Sequence, residues 1–445
     1  MKFPSKGWAL VGLAVALSTA SAFAATTVTI ATINNPDMLV MKELTPVFEK
    51  ENPDVKVEFQ VLPDNVLRQS ITQDVAVNGG RYDVVTLQPY EVQSGWAKNN
   101  WLSPLDFSKL SKAEQDAYDV DDIIKNIRAG LTYDSKLYAL PFYGESSFTM
   151  YRKDLFERAG LTMPEHPTWT QIRELACKLH DPSHGMYGIL MKGIPQYGQL
   201  SPLITLIHSF GASFFDKDWH PQFTSPQFKK AFTFYVDLVH DCGEPGASSQ
   251  GVLELLTIMA QGKGAIWVDA TVIAGLLQDP ATSKVVDKVG YAFAPTEGSN
   301  NGGWLTAWSL GVVASSKHQD EAFKFIRWAT SKDYAKLVAD KYGAVRMPPG
   351  TRYSTYKDPA YLAAAPFAKL TLQVIENADM LHPAKDPVPY TGTAQIDIPE
   401  FATWAADFAQ DYSAVIAGQM SIDAALADTQ AKTEAVMKAA GYIKD

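Results

Sequence analysis

Hydrophobic and polar positions alternate first at residues 27–33, "TVTIATI", the period of a half-buried strand. Asn35 and Pro36 then read as an N-cap and a first helical residue. Val40, Leu44, Val47 and Phe48 recur at helical spacing, with Pro46 inside the run predicting a kink or a restart. "VKVEFQV" alternates again, 64–77 reads as a helix stopped by Gly79 and Gly80, and "YDVVTL" completes the unit. This βαβαβ pattern opens an α/β sheet, and such sheets bind ligands beyond the carboxyl ends of their strands. The loops of interest are therefore 33–36 and 87–91.

The theme continues down the chain. Ser225 and Pro226 cap a helix that carries Phe228, Phe232, Tyr235 and Val239 on one face. "GAIWVDA" reads as a short strand, "LGVVASS" as an apolar strand and "DEAFKFIRWAT" as an amphipathic helix. From Pro399 onward the chain is Ala-rich and helical, with Gly418 as a stop and Ser421 as the next cap. Two α/β lobes with a helical C-terminal part are expected.

The N-terminus changes the picture of location. Lys2 and Lys6 precede the apolar run "WALVGLAVAL", and Ala22-Phe23-Ala24 fits the small-residue cleavage pattern. The apolar run is too short for a bilayer span, which takes about 20 residues. Residues 1–24 are expected to be a cleaved signal peptide and the mature chain to be periplasmic. The formal net charge is −10, and removing Lys2 and Lys6 makes it more acidic. That acidity, without a basic run, argues against nucleic acid as a partner. Export permits a disulfide between the two cysteines, Cys177 and Cys242, but two buried thiols satisfy the sequence equally. No Cys/His ligand spacing points to zinc, and no cofactor is expected.

Catalytic signatures are absent: no GxSxG, GxxxxGK[ST], HExxH or GxGxxG occurs. "DKDWH" starts like a calcium loop but places His220 and Pro221 where a carboxylate and a glycine are needed, so it reads as a turn. His208, on "LITLIHSF", reads as a core or groove residue rather than a base. In "LPFYGESSFTMYRKDLF" a lone carboxylate, Glu145, stands among Pro141, Phe142, Tyr143 and Phe148. Glutamate is rarely buried without a partner. Paired with Asp269 it could serve a glycosidase, provided the two stood about 5–9 Å apart. Trp267, Trp304 and Trp308 instead suggest stacking on a sugar-like C–H face, with Gly302 and Gly303 allowing close backbone approach. Carboxylates, amides and Arg satisfy hydroxyl groups, which both donate and accept.

Several ordered blocks carry a resemblance over nearly all of the mature chain. They include "YDVVTLQPYEVQSGWAKNNWLSPLD", "FGASFFDKDWHPQFTSPQFKKAFTFYVDL", "MAQGKGAIWVDAT" and "NNGGWLTAWSLGVVASSKHQDEAFKFIRWAT". The chain resembles the sugar-binding (family 1) periplasmic solute-binding proteins of ABC transporters, the group that includes maltose-binding protein. The stretch around Glu145 and "MYGILMKGIPQYGQ" look most like its sorbitol/mannitol branch. The resemblance implies an α/β, maltose-binding-protein-like fold whose two lobes close on ligand. It places a first lobe at 25–141 and 295–347 and a second at 142–294 and 348–445. It implies ligand contacts from Asn34 and Asn35, from Gln88, Tyr90 and Glu91, and from Glu145 on a strand near the hinge. Trp267 and Asp269 fall where the family places a ligand-facing residue, Trp304 and Arg346 fall near the cleft, and Tyr143, Arg152, Lys192 and Tyr197 are weaker candidates. Aromatic platform positions of the maltose pattern are small or amide residues here, which favours a small acyclic ligand. The resemblance thus implies a monomeric, non-catalytic receptor that delivers a sorbitol- or mannitol-type polyol to a membrane permease. Rivals are the same fold for a mono- or disaccharide, a receptor that mainly feeds a chemosensor, and the Glu145/Asp269 glycosidase.

Overall fold

The computed structural model describes Met1 and residues 25–299 and 302–444; the expected signal peptide lies outside the described residues. The N-terminal unit forms as the alternation predicts. Strand β1 (Thr26–Ile33) pairs in parallel with β2 (Val55–Leu62) and β3 (Val84–Leu87). Helix α1 (Pro36–Glu51) connects the first two strands and α2 (Asp64–Ala76) the next. Pro46 does not break α1, which runs on through it. Thr45 Oγ1 donates to the Met41 carbonyl at 2.9 Å one turn back, and Leu44, Thr45 and Phe48 are buried on both sides of the proline. Tertiary packing overrides the local penalty there.

A two-residue-per-strand hairpin, β4 (Thr132–Tyr133) and β5 (Lys136–Leu137), precedes the long β6 (Ala139–Arg152). The rest of the sheet comes from β7 (Tyr187–Leu190), β8 (Gly264–Ala270), β9 (Val289–Phe293) and β10 (Leu305–Val312). The sheet order is β2-β1-β3-β10-β6-β8-β7, with β9 also on β6. Strand β10 therefore begins earlier than "LGVVASS" suggests, because its first residues pair with β6 from Ser146 backward.

Strand β6 joins the two halves of this sheet. Its first part, to Ser146, pairs with β10; from Ser147 onward it pairs with β8 and β9. Pro141, which has no N–H to give, sits at a register break opposite Trp308 and Ser309. Gly144 donates its N–H to the Pro349 carbonyl at 2.9 Å. A Cβ on Gly144 would stand 2.3 Å from the Gly350 carbonyl oxygen, so a returning segment crosses against β6 only because both residues are glycine.

Among the described residues, buried side chains gather in two clusters. One gathers Val28, Ile30, Val84 and Val85 with Met41, Phe48 and Phe325, and it continues past the crossing to Trp267, Ile273 and Tyr361. The other packs Phe214, Phe223, Phe228 and Phe232 against Trp404, Phe408 and Tyr412. The C-terminal helices Phe401–Ile416 and Ile422–Ala439 form as expected, the second capped by Ser421. Cys177 and Cys242 are joined in a disulfide with 5.0 Å between their Cα atoms. Among the described residues no helix is long and apolar enough to cross a membrane, and no His/Cys/Asp/Glu group could hold a metal.

Candidate functional site

A cleft of about 550 Å³ opens beside the crossing strands. Its first wall comes from the carboxyl ends of the parallel strands, as the strand-end rule requires: Asn34 and Asn35 after β1, and Gln88 after β3. Its floor is β6 and β10, with Tyr143, Glu145, Trp304, Thr306 and Trp308. The opposite wall holds Lys192, Gln196, Gln199 and Asp269.

Glu145 is an unpaired carboxyl group in this cleft. It is partly exposed, and its side chain makes no hydrogen bond to any described residue, although its backbone is paired in the β10–β6 ladder. Burial in the cleft pushes its carboxyl up to about 8, Lys192 pulls it down, and Asp269 and Asp37 add to the rise. Asp269 has the opposite character. It is fully buried; Lys192 Nζ and the Ala270 N–H donate to its Oδ1 at 3.0 and 2.8 Å, and the Trp267 indole donates to Oδ2 at 3.2 Å. Strand alternation puts Trp267 and Asp269 on one face of β8, which is how the indole reaches the carboxylate. The pair is therefore one free carboxylate and one that is already held by three protein donors.

The amide of Asn35 is also held. Its oxygen caps α1 by accepting from the Met38 N–H at 2.8 Å, and its NH2 donates to the Tyr143 hydroxyl at 2.9 Å. Burial, and next the charge of Glu145, raises the Tyr143 hydroxyl well above its ordinary range, so it stays protonated.

Several candidates stand away from the cleft lining. Arg152 forks onto Asp154, with both bonds 2.7 Å, and gives a third to the Gly262 carbonyl. Tyr90 and Glu91 lie behind Gln88, where Arg68 donates to the Tyr90 hydroxyl at 3.2 Å and pairs with Glu91. Trp267 is covered completely and touches the site only through Asp269. Arg346 spans Asp37, at 3.5 Å on the cleft rim, and Asp279, at 3.2 Å.

Sequence reasoning missed other lining residues. Asp37 and Asp64 enter at the first turns of α1 and α2, and Gln196, Gln199, Ser201 and Glu254 come from loops and helix starts opposite. Trp308, one of the three tryptophans suggested for stacking, does line the cleft, with the Arg68 guanidinium 5.5 Å from its ring centre. The cross-chain partners that bring these groups together leave no local trace. The cleft is closely shut on one side: a Cβ on Gly198 would meet Asp64 Oδ2 at 2.2 Å. His208 is buried, its Nε2 is 3.1 Å from the Tyr390 hydroxyl, and burial pushes its pKa down to about 3, so it is a neutral imidazole.

Comparison with known proteins gives the family and similar folds. Residues 34–336 match the family described as bacterial extracellular solute-binding protein. The chain is 47% identical to a mannitol-binding protein of Pseudomonas aeruginosa, over 94% of this chain and 95% of that one. Its structure is similar to an ABC transporter solute-binding protein of Agrobacterium vitis S4 with bound D-mannitol, with a TM-score of 0.90 and 50% identity. That match covers 94% of this chain and all of the other. A solute-binding protein of Agrobacterium radiobacter K84 in complex with ribitol matches at a TM-score of 0.80 and 26% identity, covering 93% and 99%.

Proposed function

The chain belongs to the bacterial extracellular solute-binding protein family, and on that ground we propose that it is the periplasmic receptor of an ABC transporter for a hexitol. It captures a mannitol- or sorbitol-type polyol between its lobes and hands it to a membrane permease. We assign its lobes as 25–141 with 295–347 and 142–294 with 348–445, and the change of pairing partners along β6 supports a crossing close to that boundary, near Gly144.

The observation that carries the reading is Glu145. A carboxyl group that is desolvated, unpaired and aimed into a cleft of this size needs polar partners, whether it donates its proton or, once ionised, accepts from hydroxyls. Polyols supply them on every carbon. Asn34, Gln88, Lys192, Thr306 and Gln199 add polar groups around it, while Trp304 and Trp308 offer apolar surface to C–H faces. The P. aeruginosa mannitol-binding relative and the mannitol- and ribitol-bound neighbours support the same ligand class.

Binding without turnover follows from the same site. A glycosidase needs two carboxylates available to substrate. Asp269 is held by Lys192, Trp267 and its own strand, so its role is to orient Lys192 rather than to attack.

Calorimetric titration with mannitol, sorbitol, arabitol, glucose and maltose tests the reading. Tightest binding is expected for a hexitol, and Glu145→Ala should weaken it more than tenfold, about 1.4 kcal/mol. Failure of every polyol to bind would sink the proposal.

A further inference from the structure

Gln88 directly follows β3, lines the cleft and is only 4% exposed. Its amide has two faces that differ chemically, one accepting and one donating, and its surroundings decide which one a ligand meets. Arg68, itself 7% exposed, donates from one guanidinium nitrogen to Gln88 Oε1 at 3.2 Å. A guanidinium has no acceptor, so the Gln88 atom that faces it must be the carbonyl oxygen. Gln395 Nε2, across from it in the C-terminal part of the chain, donates to the same oxygen at 2.7 Å. Both lone pairs of that oxygen are therefore filled by protein donors.

Arg68 cannot swing away easily. Its Nε donates to Asp64 Oδ1 at 2.9 Å, its other terminal nitrogen meets Tyr90 and Glu91, and its guanidinium stands 5.2 Å from the Tyr90 ring centre. Glu91 in turn accepts from the Gln88 backbone N–H at 2.7 Å. Gln395 is held in its own way: it is 4% exposed and flanked by Ala394, whose carbonyl accepts from Ser201, and by fully buried Ile396. With its oxygen occupied from two sides, Gln88 has only its NH2 left for the cleft.

We infer that Arg68 and Gln395 are positioning residues that lock the Gln88 amide with its NH2 toward the cleft, making Gln88 an obligate hydrogen-bond donor to the ligand. The inference rests on the polyol reading for its ligand. It sharpens specificity, because Gln88 can only donate and so asks one ligand oxygen to accept, whereas the Glu145 carboxyl bonds a different hydroxyl. An analogue without an oxygen at the second position leaves a buried donor unsatisfied, which such sites reject strongly.

The test uses D-mannitol with its monodeoxy and monodeoxyfluoro analogues, titrated into the wild-type chain and into Gln395→Glu. Carbon-bound fluorine accepts weakly and donates nothing; hydrogen does neither. At the carbon facing Gln88 the wild type should lose at least tenfold affinity for the deoxy compound and recover several-fold with fluorine. In Gln395→Glu the new carboxylate repels the Gln88 oxygen and draws the Gln88 NH2 to itself. Fluoro and deoxy compounds should then bind equally poorly there. A fluorine preference that survives in Gln395→Glu overturns the inference. A ligand-free arm keeps the two readings apart: urea unfolding of Gln88→Leu, Gln395→Leu and the double variant. Non-additive midpoints are expected, and strict additivity overturns the positioning network even if no hexitol binds. Absence of any hexitol binding to the wild type, with non-additive midpoints, overturns the ligand-donor half and the polyol reading while leaving the lock.

Discussion

Lys192 Nζ lies 3.0 Å from Asp269 Oδ1 in a site where the two side chains are 10% and 1% exposed. The Lys192 carbonyl is fixed as well, accepting from the Tyr235 hydroxyl at 2.8 Å and from the Tyr412 hydroxyl. The ammonium is thus presented to the cleft on a rigid mount, with Asp269 as its counter-ion rather than as a free hook for ligand.

Removing one partner of this pair leaves the other charge buried. Lys192→Met should destabilise the ligand-free chain by about 3 kcal/mol. Asp269→Asn, whose one oxygen can still accept from Lys192 and the Ala270 N–H but no longer from the indole, should cost clearly less. Urea unfolding of both variants measures the difference; equal costs would mean that the pair is not electrostatically closed.

Glu145 predicts a pH dependence of the free protein. Its carboxyl is raised from 4.5 to about 8 in the folded chain, so between those values the native state holds a proton that the unfolded state has lost. Stability contributed by this group is therefore present at low pH and is lost as pH rises through about 8. Glu145→Gln should flatten that slope and stabilise the unliganded chain above pH 7 by about 1–3 kcal/mol, the full shift being discounted because the group faces the cleft. Thermal unfolding at pH 5, 7 and 8.5 reads the effect, and an unchanged slope in the variant would count against it.

Gly198 faces Asp64 across the cleft with no room for a Cβ, and Asp64 is anchored by Arg68. Gly198→Val should hold the walls apart and weaken polyol binding by tenfold or more, although it removes no polar contact. Small-angle scattering should show a smaller compaction on adding ligand than in wild type. Undiminished affinity would mean that the clearance has no part in closure.

The Cys177–Cys242 bridge closes a sequence separation of 65 residues between two helices of the second core. Replacing both with Ser should lower stability by ~2–4 kcal/mol through the loop entropy regained by the unfolded chain. The hexitol affinity should not change, because neither residue lines the cleft. A loss of affinity at full folding would contradict this placement.

The amino-acid sequence by itself determined what depends on neighbours along the chain. Alternation and caps located β1, β2, α1 and α2, and the strand-end rule alone brought Asn34, Asn35 and Gln88 to the cleft. The aromatic frame of Glu145 was enough to single it out. Arg152 was misplaced because its partner, Asp154, is only two residues away and satisfies it without a ligand. Tertiary structure decided the rest. Whether Asp269 is free or held depends on Lys192, 77 positions earlier, and which face Gln88 shows depends on Gln395, 307 positions later. Local patterns of polarity and period carry no record of such pairings. They arise only when β6, β8 and β10 bring distant segments within hydrogen-bond reach and burial makes every unpaired group costly.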